Sequence, residues 1–255
     1  MHNALQIYGE LRTFLECIPS ILNFIDYSNI KYDVFLFIDD KGISKKSNFS
    51  EDNLKKLFQM LKRENIKIVN FVSKMSSQEK NHEDFLYNKY ISIHNEFAKK
   101  YPSIVKDNFV PRLMYRKYLL NQYRTDYENK NKVQYDFVVR TRFDIKTNSN
   151  NIVSFKDTPI LCSDHITIAS PHFTNKEMET GIHMPFSAQC LFTPSLELKP
   201  DMYEKYKNWR GDKFWQYNWI FMPELNYRLY LLENEISFIE AWWLEPRNLG
   251  FSILR

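Results

Sequence analysis

The chain has 255 residues, 44% of them hydrophobic, which is enough for the core of one large α/β domain or two small ones. Its net charge of +4 is spread along the chain, so no basic block indicates nucleic-acid binding by itself. The three cysteines are far apart and form no CxxC, which argues against a zinc site and a disulfide framework. No run of residues resembles a signal peptide or is long enough to span a bilayer. These features favour a soluble protein in the reducing cytoplasm.

The first predicted elements are a strand, a glycine and a helix. Residues 4–8 have the character of a short strand that ends at Gly9. Apolar residues at helical spacing then predict a helix from about Arg12 to about Tyr27, bent or restarted at Pro19. A helix that starts just after a strand and a glycine offers backbone N–H groups to an anion. Arg12 is therefore either a ligand-binding residue or an ordinary solvated residue of the first turn.

A second strand is predicted at residues 34–38, where a continuous apolar run is typical of a central parallel strand. Asp39 and Asp40 follow it directly. Two carboxylates at this place can bind a ribose, a base or a metal. They can equally belong to an ordinary Asp-Asp-Lys-Gly turn, so both interpretations stay open here.

Helices and a strand alternate through the middle of the chain. The pattern predicts a helix over 50–65, a strand over 66–72, a polar and mobile connection over 75–84, and helices over 85–100 and 111–129. The last of these helices carries several basic residues, namely Arg112, Arg116, Lys117 and Arg124. They either form a solvated face, which is the interpretation that we favour, or approach a ligand.

The stretch from residue 135 to residue 145 opens as a buried strand and then becomes charged. Side chains two apart share a face of a strand, so Arg140, Arg142 and Asp144 are expected to point the same way. Ligands of open α/β sheets bind outside the carboxyl ends of the strands. This pattern indicates an anion such as a diphosphate, held by the arginines and by a metal on Asp144. A purely structural arginine–aspartate network is the alternative.

The order of elements predicts an α/β fold with a mostly parallel central sheet and helices on both sides. The sequence pattern changes after residue 148, where short apolar runs alternate with turns. Strands are expected at 160–162, 166–169, 187–193 and 238–244, and helices at 203–209 and 223–234. No linker divides the chain, so we expect one domain with two halves, residues 1–147 and 148–255.

The five glycines are too far apart for GxGxxG or GxxxxGK[ST], which argues against a Rossmann dinucleotide site and a P-loop. Four segments instead resemble a group of small glycosyltransferases found in bacterial polysaccharide clusters and large DNA viruses. Residues 8–14 (YGELRTF) are similar to the SGQLRTF opening of that group, and residues 32–36 to its second strand. Residues 135–144 (YDFVVRTRFD) are similar to its YDxVIRTRxD segment, and residues 222–225 (MPEL) to a late helix start.

This resemblance implies a Rossmann-related GT-A fold, with residues 1–147 as the donor half and a mixed acceptor half. It also implies a hexosyl- or pentosyltransferase that moves a sugar from a UDP- or GDP-linked donor to a glycan or another hydroxyl acceptor. The donor would be bound by residues in the matching segments, namely Tyr8, Gly9, Arg12, Thr13, Asp39, Arg140 and Arg142. Asp144 would reach Mn²⁺ or Mg²⁺. Arg142 replaces the first Asp of the usual Asp-x-Asp motif, and this puts metal dependence in question.

An inverting enzyme of this kind needs a carboxylate to deprotonate the acceptor hydroxyl, whereas a retaining enzyme does not. The candidates for that base are Glu224, Asp212 and Asp164. Two other functions remain open from the sequence. One is a sugar nucleotidyltransferase, although the glycine-rich loop that it needs is missing. The other is a non-catalytic domain that binds nucleic acid or nucleotide through the basic residues of the 111–129 helix.

Overall fold

The computed structural model describes residues 1–25, 29–39, 49–102, 110–147, 160–162, 166–178, 239–240 and 251–253. The chain divides into two compact units. The first comprises residues 1–75, 116–177 and 237–255, and the second comprises residues 76–115 and 178–236. Among the described helices, none is both long and apolar enough to cross a membrane.

The first unit is built on a seven-stranded sheet with the order β3-β2-β1-β4-β7-β6-β8. Its strands are β1 (His2–Gly9), β2 (Lys31–Ile38), β3 (Ile66–Val72), β4 (Val138–Arg142), β6 (Ile160–Cys162), β7 (Ile166–Ala169) and β8 (Ile239–Glu240). Within this sheet β7 is antiparallel to both of its neighbours, and every other pair is parallel. Strands β5 (Ile145–Thr147) and β9 (Phe251–Ile253) form a separate antiparallel pair.

The helices are α1 (Phe14–Phe24), α2 (Glu51–Leu61), α3 (Ser77–Lys100), α4 (Val110–Asn131) and α5 (Pro171–Met178). One face of the sheet is apolar and packs with α1 and α2 into a single core, to which Leu5, Val34 and Val139 contribute. A parallel sheet needs cover on both faces. The predicted class, α/β with a mostly parallel central sheet flanked by helices and a mixed second half, is therefore confirmed.

The other face of the sheet carries both polar and aromatic side chains and is covered by the part of α4 that follows residue 115. Gln6 donates from Nε2 to the carbonyl of Leu120 at 3.3 Å, and the rings of Phe35 and Tyr127 meet edge to face at 5.7 Å. Because polar side chains such as Gln6 are buried on this face, α4 can turn basic side chains towards it. Lys117 is 1% exposed and Arg124 is 0% exposed. Our interpretation of these two residues as part of a solvated face was wrong.

The second unit contains α3, which starts eight residues earlier than the predicted helix. Ser76 and Glu79 form a reciprocal capping box, with the Glu79 N–H donating to Ser76 Oγ at 3.2 Å and the Ser76 N–H to Glu79 Oε2 at 2.7 Å. This box satisfies two orphan donors of the first turn and explains why a polar segment folds as helix. The predicted mobile connection over 75–84 was therefore wrong.

Other bounds match the sequence pattern closely or differ for a physical reason. The strand over 66–72 is confirmed as β3, and α1 continues through Pro19 without a restart. The charged strand ends at Arg142, because the next two residues turn before β5 begins. Helix α5 and strand β9 were not predicted. The elements expected over 187–193, 203–209 and 223–234 lie outside the described residues.

Candidate functional site at the carboxyl ends of β1, β2 and β4

The carboxyl ends of three neighbouring strands are joined by backbone hydrogen bonds. The Asp39 N–H donates to the Gly9 carbonyl at 3.0 Å and so ties the end of β2 to the end of β1. The Phe143 N–H donates to the Tyr8 carbonyl at 3.2 Å and ties the turn after β4 to the same strand. The residues that follow β1, β2 and β4 therefore lie along one edge of the sheet, where ligands of open α/β sheets bind.

Gly9 allows the chain to leave β1 at this edge. Its φ is +114°, a conformation that residues with a Cβ rarely adopt, so a substitution there is strained. A Cβ built on Gly9 meets no described atom within 4 Å. The glycine is thus required by the backbone angle and not by crowding, and the turn that it makes leads directly to Arg12 and α1.

Asp144 holds two guanidinium groups side by side at this edge. Arg142 binds it as a fork, with Nε donating to Oδ1 at 2.8 Å and Nη2 to Oδ2 at 2.6 Å. Arg12 Nη2 lies 3.4 Å from the same Oδ2, and Arg12 Nε lies 3.3 Å from Glu10 Oε2. The Asp144 side chain is 5% exposed, whereas those of Arg142 and Arg12 are 20% and 25% exposed. The carboxylate is buried behind two arginines that reach solvent.

Arg140 does not join this cluster as the alternation of the strand predicted. It is 1% exposed, and its Nε donates to Gln6 Oε1 at 2.9 Å on the face beneath α4. Arg140 lies two residues before the end of β4, so its guanidinium supports the sheet instead of the open edge. Asp144 also departs from the prediction, because it belongs to the turn after β4 and not to the strand itself.

Tyr8 and Thr13 have structural contacts at the edge. The Tyr8 side chain is 1% exposed, and Lys117 Nζ lies 5.9 Å from the centre of its ring. Thr13 precedes α1, and its carbonyl accepts from the N–H groups of Glu16 at 3.1 Å and Cys17 at 3.2 Å. Both residues shape the edge from which Arg12 projects, and their predicted contact with a donor stays a prediction.

A second ion pair at the same edge joins Asp39 to Arg116 of α4. Their side chains are 7% and 13% exposed, respectively. We interpreted Arg116 as part of a solvated face, with approach to a ligand as the alternative, and its ion pair with Asp39 was not predicted. A signal was present: Arg116, Leu120 and Arg124 follow one another at intervals of four, and an apolar residue within a basic row indicates that the row faces protein.

The described residues around Asp144 supply few of the ligands that a divalent metal takes, and the metal expected there stays a prediction. Magnesium takes several oxygen ligands around it, and manganese sites are built from similar oxygen donors. In the described part of the chain no three His, Cys, Asp or Glu side chains are grouped so that they could hold a metal ion. Both oxygens of Asp144 already accept hydrogen bonds from Arg142. Arg142 thus contacts both oxygens of this carboxylate, and Arg12 lies against Oδ2.

The three candidates for a catalytic base, Glu224, Asp212 and Asp164, all lie outside the described residues. Asp40, the second carboxylate after β2, does so too. Their assignment as possible acid–base groups stays a prediction from the sequence.

Cys17 lies on α1 close to this edge and is fully buried. Its Sγ donates to Thr13 Oγ1 at 3.7 Å. Burial raises the pKa of the Cys17 thiol to about 11, and the hydrogen bond to Thr13 opposes that shift only in part. Since the thiolate is the nucleophilic form, this cysteine is a packing residue and not a reactive one.

We expect native Cys17 to resist alkylation by iodoacetamide at pH 8. The thiolate fraction should be roughly a thousandth, and burial hinders the reagent further, so labelling should be at least ~100-fold slower than in the unfolded chain. Peptide mapping by mass spectrometry measures the rate at Cys17 separately from the other two cysteines. Labelling at a similar rate before and after denaturation would contradict the buried position.

Comparisons with known proteins give a fold likeness and nothing at the level of sequence. No protein-family model matches the chain, and no curated protein does. Mouse xyloside xylosyltransferase 1, solved in its apo form, is a similar solved structure. The likeness has a TM-score of 0.43 and 6% sequence identity, and it covers 94% of this chain and 84% of the mouse chain. At these values the likeness supports no statement about chemistry.

Proposed function

We propose that the chain is a glycosyltransferase, which moves a sugar from a UDP- or GDP-linked donor to a hydroxyl group of a glycan or another acceptor. The observation that carries the proposal is the Asp144 carboxylate with Arg142 and Arg12 around it. These residues come from the two segments whose sequences resemble small glycosyltransferases, residues 8–14 and 135–144. Those segments are far apart in sequence and adjacent at one edge of the sheet.

The chemistry of transfer requires positive charge at the leaving group. As the bond from the sugar carbon to the diphosphate oxygen breaks, the nucleoside diphosphate gains negative charge that must be stabilised. A guanidinium has five N–H donors, so a carboxylate can orient it through two of them while others address phosphate oxygens. Asp144 fixes the plane of the Arg142 fork before a ligand arrives, and this lowers the cost of ordering the side chain on binding.

Arginines replace a metal in this mechanism. Arg142 stands at the position of the first Asp of the usual Asp-x-Asp motif, and both oxygens of Asp144 accept hydrogen bonds from its guanidinium. We infer that Arg142 and Arg12 supply the charge that a metal supplies in related enzymes. If the enzyme is inverting, the candidates for the catalytic base are still Glu224, Asp212 and Asp164.

Donor hydrolysis is therefore expected to be insensitive to excess EDTA. The assay compares initial rates of nucleotide-sugar hydrolysis in protein dialysed against EDTA and in the same protein after Mn²⁺ or Mg²⁺ is restored. Equal rates agree with charge stabilisation by arginine. Loss of activity in EDTA, followed by recovery with either metal, would show that a metal ion stabilises the charge of the leaving group.

The proposal itself is tested with a small library of nucleotide-sugars, screened for hydrolysis and for a shift in melting temperature. At least one UDP- or GDP-linked sugar should be hydrolysed, and the matching nucleoside diphosphate should raise the melting temperature. If none is hydrolysed and oligonucleotides alone stabilise the protein, the transferase proposal should be dropped. The nucleic-acid alternative has lost its main support, because Lys117 and Arg124 are buried.

A further inference from the structure

A cavity of about 660 Å³ lies at the amino end of β4, away from the Asp144 cluster. Its lining residues belong to the last turns of α4, to the segment that leads into β4 and to α5, all within the first unit. Tyr135 lines the cavity before β4, whereas Arg142 ends that strand beside Asp144. A strand of this length spans roughly 15 Å. The cavity is therefore distinct from the Asp144 cluster, and its volume is within the range of about 300–1,000 Å³ that is usual for ligand sites.

Asn175 of α5 presents an oriented hydrogen-bond donor to this cavity. Its side-chain oxygen Oδ1 accepts from Asn121 Nδ2 at 3.0 Å and from Arg124 Nη2, both on α4. These two donors fix which end of the amide faces α4, because only the oxygen can accept. Within the described part of the chain, Asn175 Nδ2 donates to no protein atom. Its two N–H groups are thus oriented before a ligand arrives, which lowers the cost of binding.

Lys132 lines the same cavity in a backbone conformation that lysine rarely adopts. Its φ is +55°, and among the described residues no other residue besides glycine has a positive φ. The residue after a helix often adopts this left-handed conformation, but it is usually glycine or asparagine, because a Cβ is strained there. Strained residues of this kind cluster at ligand sites. Here the strained residue is one that lines the cavity.

The polar part of the lining has the chemistry that a neutral ligand needs. Asn129 and Gln134 contribute side-chain amides, each of which can both donate and accept hydrogen bonds. Glu128 and Lys132 carry opposite charges, so the lining has no excess charge to attract an anion. The Glu128 carboxylate is moreover already paired with Arg124. Amides and balanced charges favour a ligand with many hydroxyl groups over a phosphate.

The apolar part of the lining favours a sugar ring over a planar base. Val133 and Pro171 supply apolar surface, against which the C–H groups of a sugar can pack. A base needs an exposed aromatic face on which to stack. Tyr135 is only 4% exposed, and its ring already meets that of Phe35 edge to face at 6.1 Å. A sugar carries hydroxyl groups at its edge and C–H groups on its faces, and so it matches both parts of the lining.

We propose that this cavity binds a neutral sugar unit of a glycan. Asn175 Nδ2 and Lys132 Nζ donate to the hydroxyl oxygens of the sugar, and the amides of Asn129 and Gln134 complete its hydrogen bonds. Binding at the amino end of β4 requires no sugar transfer at the Asp144 cluster. The inference therefore goes beyond the proposed function and does not depend on it.

Saturation-transfer difference NMR on the full chain tests this inference with the methyl glycosides and disaccharides of glucose, galactose, mannose, xylose and N-acetylglucosamine. At least one of these sugars should bind with a dissociation constant of about 1 mM or tighter, which calorimetry then measures. Excess UDP or GDP should not displace it, because the cavity lies away from the edge at which the donor is expected.

Two variants separate binding from folding. Asn175→Asp keeps the oxygen that accepts from Arg124 and replaces the N–H donors with a second acceptor. It should bind the sugar about 10-fold more weakly without a lower melting temperature. Lys132→Gly removes the ammonium group and relieves the left-handed backbone, so affinity should fall roughly 3-fold or more while the melting temperature is kept. Lys176→Ala is the matched control, since Lys176 is exposed beside Asn175 but does not line the cavity. Its affinity should equal that of the wild type.

Three results would overturn the inference. One is the same affinity in the wild type, Asn175→Asp and Lys132→Gly, which would place the sugar elsewhere on the chain. Another is displacement of the sugar by UDP or GDP. The third is the absence of binding by every sugar at about 10 mM. Sugar binding that is lost in the two variants, without hydrolysis of any nucleotide-sugar, would support this inference and count against the proposed function alone.

Discussion

Replacing Arg142 by alanine should lower donor turnover about 10²- to 10³-fold, the cost of losing one preorganised donor to a developing anion. Arg142 makes two short hydrogen bonds to Asp144 and is still 20% exposed at the side chain. Its removal leaves Asp144 with Arg12 at 3.4 Å, so the fold should persist. Steady-state hydrolysis of the accepted nucleotide-sugar measures the loss, and a melting curve verifies folding.

The matched control for this variant is Lys146→Ala. Lys146 also carries a positive charge close to Asp144 in sequence, but its Nζ lies 3.6 Å from Glu16 Oε2, and both of these side chains are well exposed. A surface pair of this kind contributes little to stability. Turnover in Lys146→Ala should match the wild type. Near-normal turnover in Arg142→Ala would show that the Arg142 guanidinium does not stabilise the leaving group.

Replacing Glu128 by alanine is expected to destabilise the first unit by about 3 kcal/mol, because it removes the carboxylate that pairs with a buried cation. Arg124 is 0% exposed and binds Glu128 one turn later on α4. Burial lowers the pKa of Arg124, and the charge of Glu128 opposes this shift. Asn121 Oδ1 also accepts from Arg124 Nε at 3.2 Å, so part of the network remains.

Urea denaturation followed by circular dichroism measures that loss, and the melting temperature should fall by roughly 6–12 °C. Asp126→Ala is the control, since it removes an exposed carboxylate from the same helix. Glu128→Gln keeps the side-chain size without the charge, which separates packing from electrostatics. If the Glu128 and Asp126 variants have the same melting temperature, the buried Arg124 does not need Glu128 for the stability of the fold.

The fold could be predicted where the apolar pattern alone decides it. The run over 66–72 became β3 without change, and the alternation of strands and helices gave the parallel part of the sheet. The pattern could not give the end of β4, because that end depends on a hydrogen bond from Phe143 to a strand more than 130 residues earlier. It also missed the start of α3, although Ser76 and Glu79 carry the spacing of a capping box.

The site was predictable in part. Arg12, Arg142 and Asp144 were selected from the sequence, and the structure brings them together. The pairing of Arg116 with Asp39 was not predicted, because Asp39 lies 77 residues away at the end of a strand. Arg140 was expected among them because strand alternation gives the direction in which a side chain points. Alternation does not show that α4 covers Arg140 and buries it.

The central place of β1 has a consequence for synthesis of the chain. Strand β1 is translated before its neighbour β4, which follows only after Val138 has been translated. Closing so long a loop is entropically costly, and contacts of this range slow folding. Until β4 arrives, one side of β1 presents unpaired backbone groups, which invite association with other nascent chains. The Asp144 cluster needs the end of β1 and the turn after β4, so a nascent chain that ends before Asp144 cannot acquire the proposed activity.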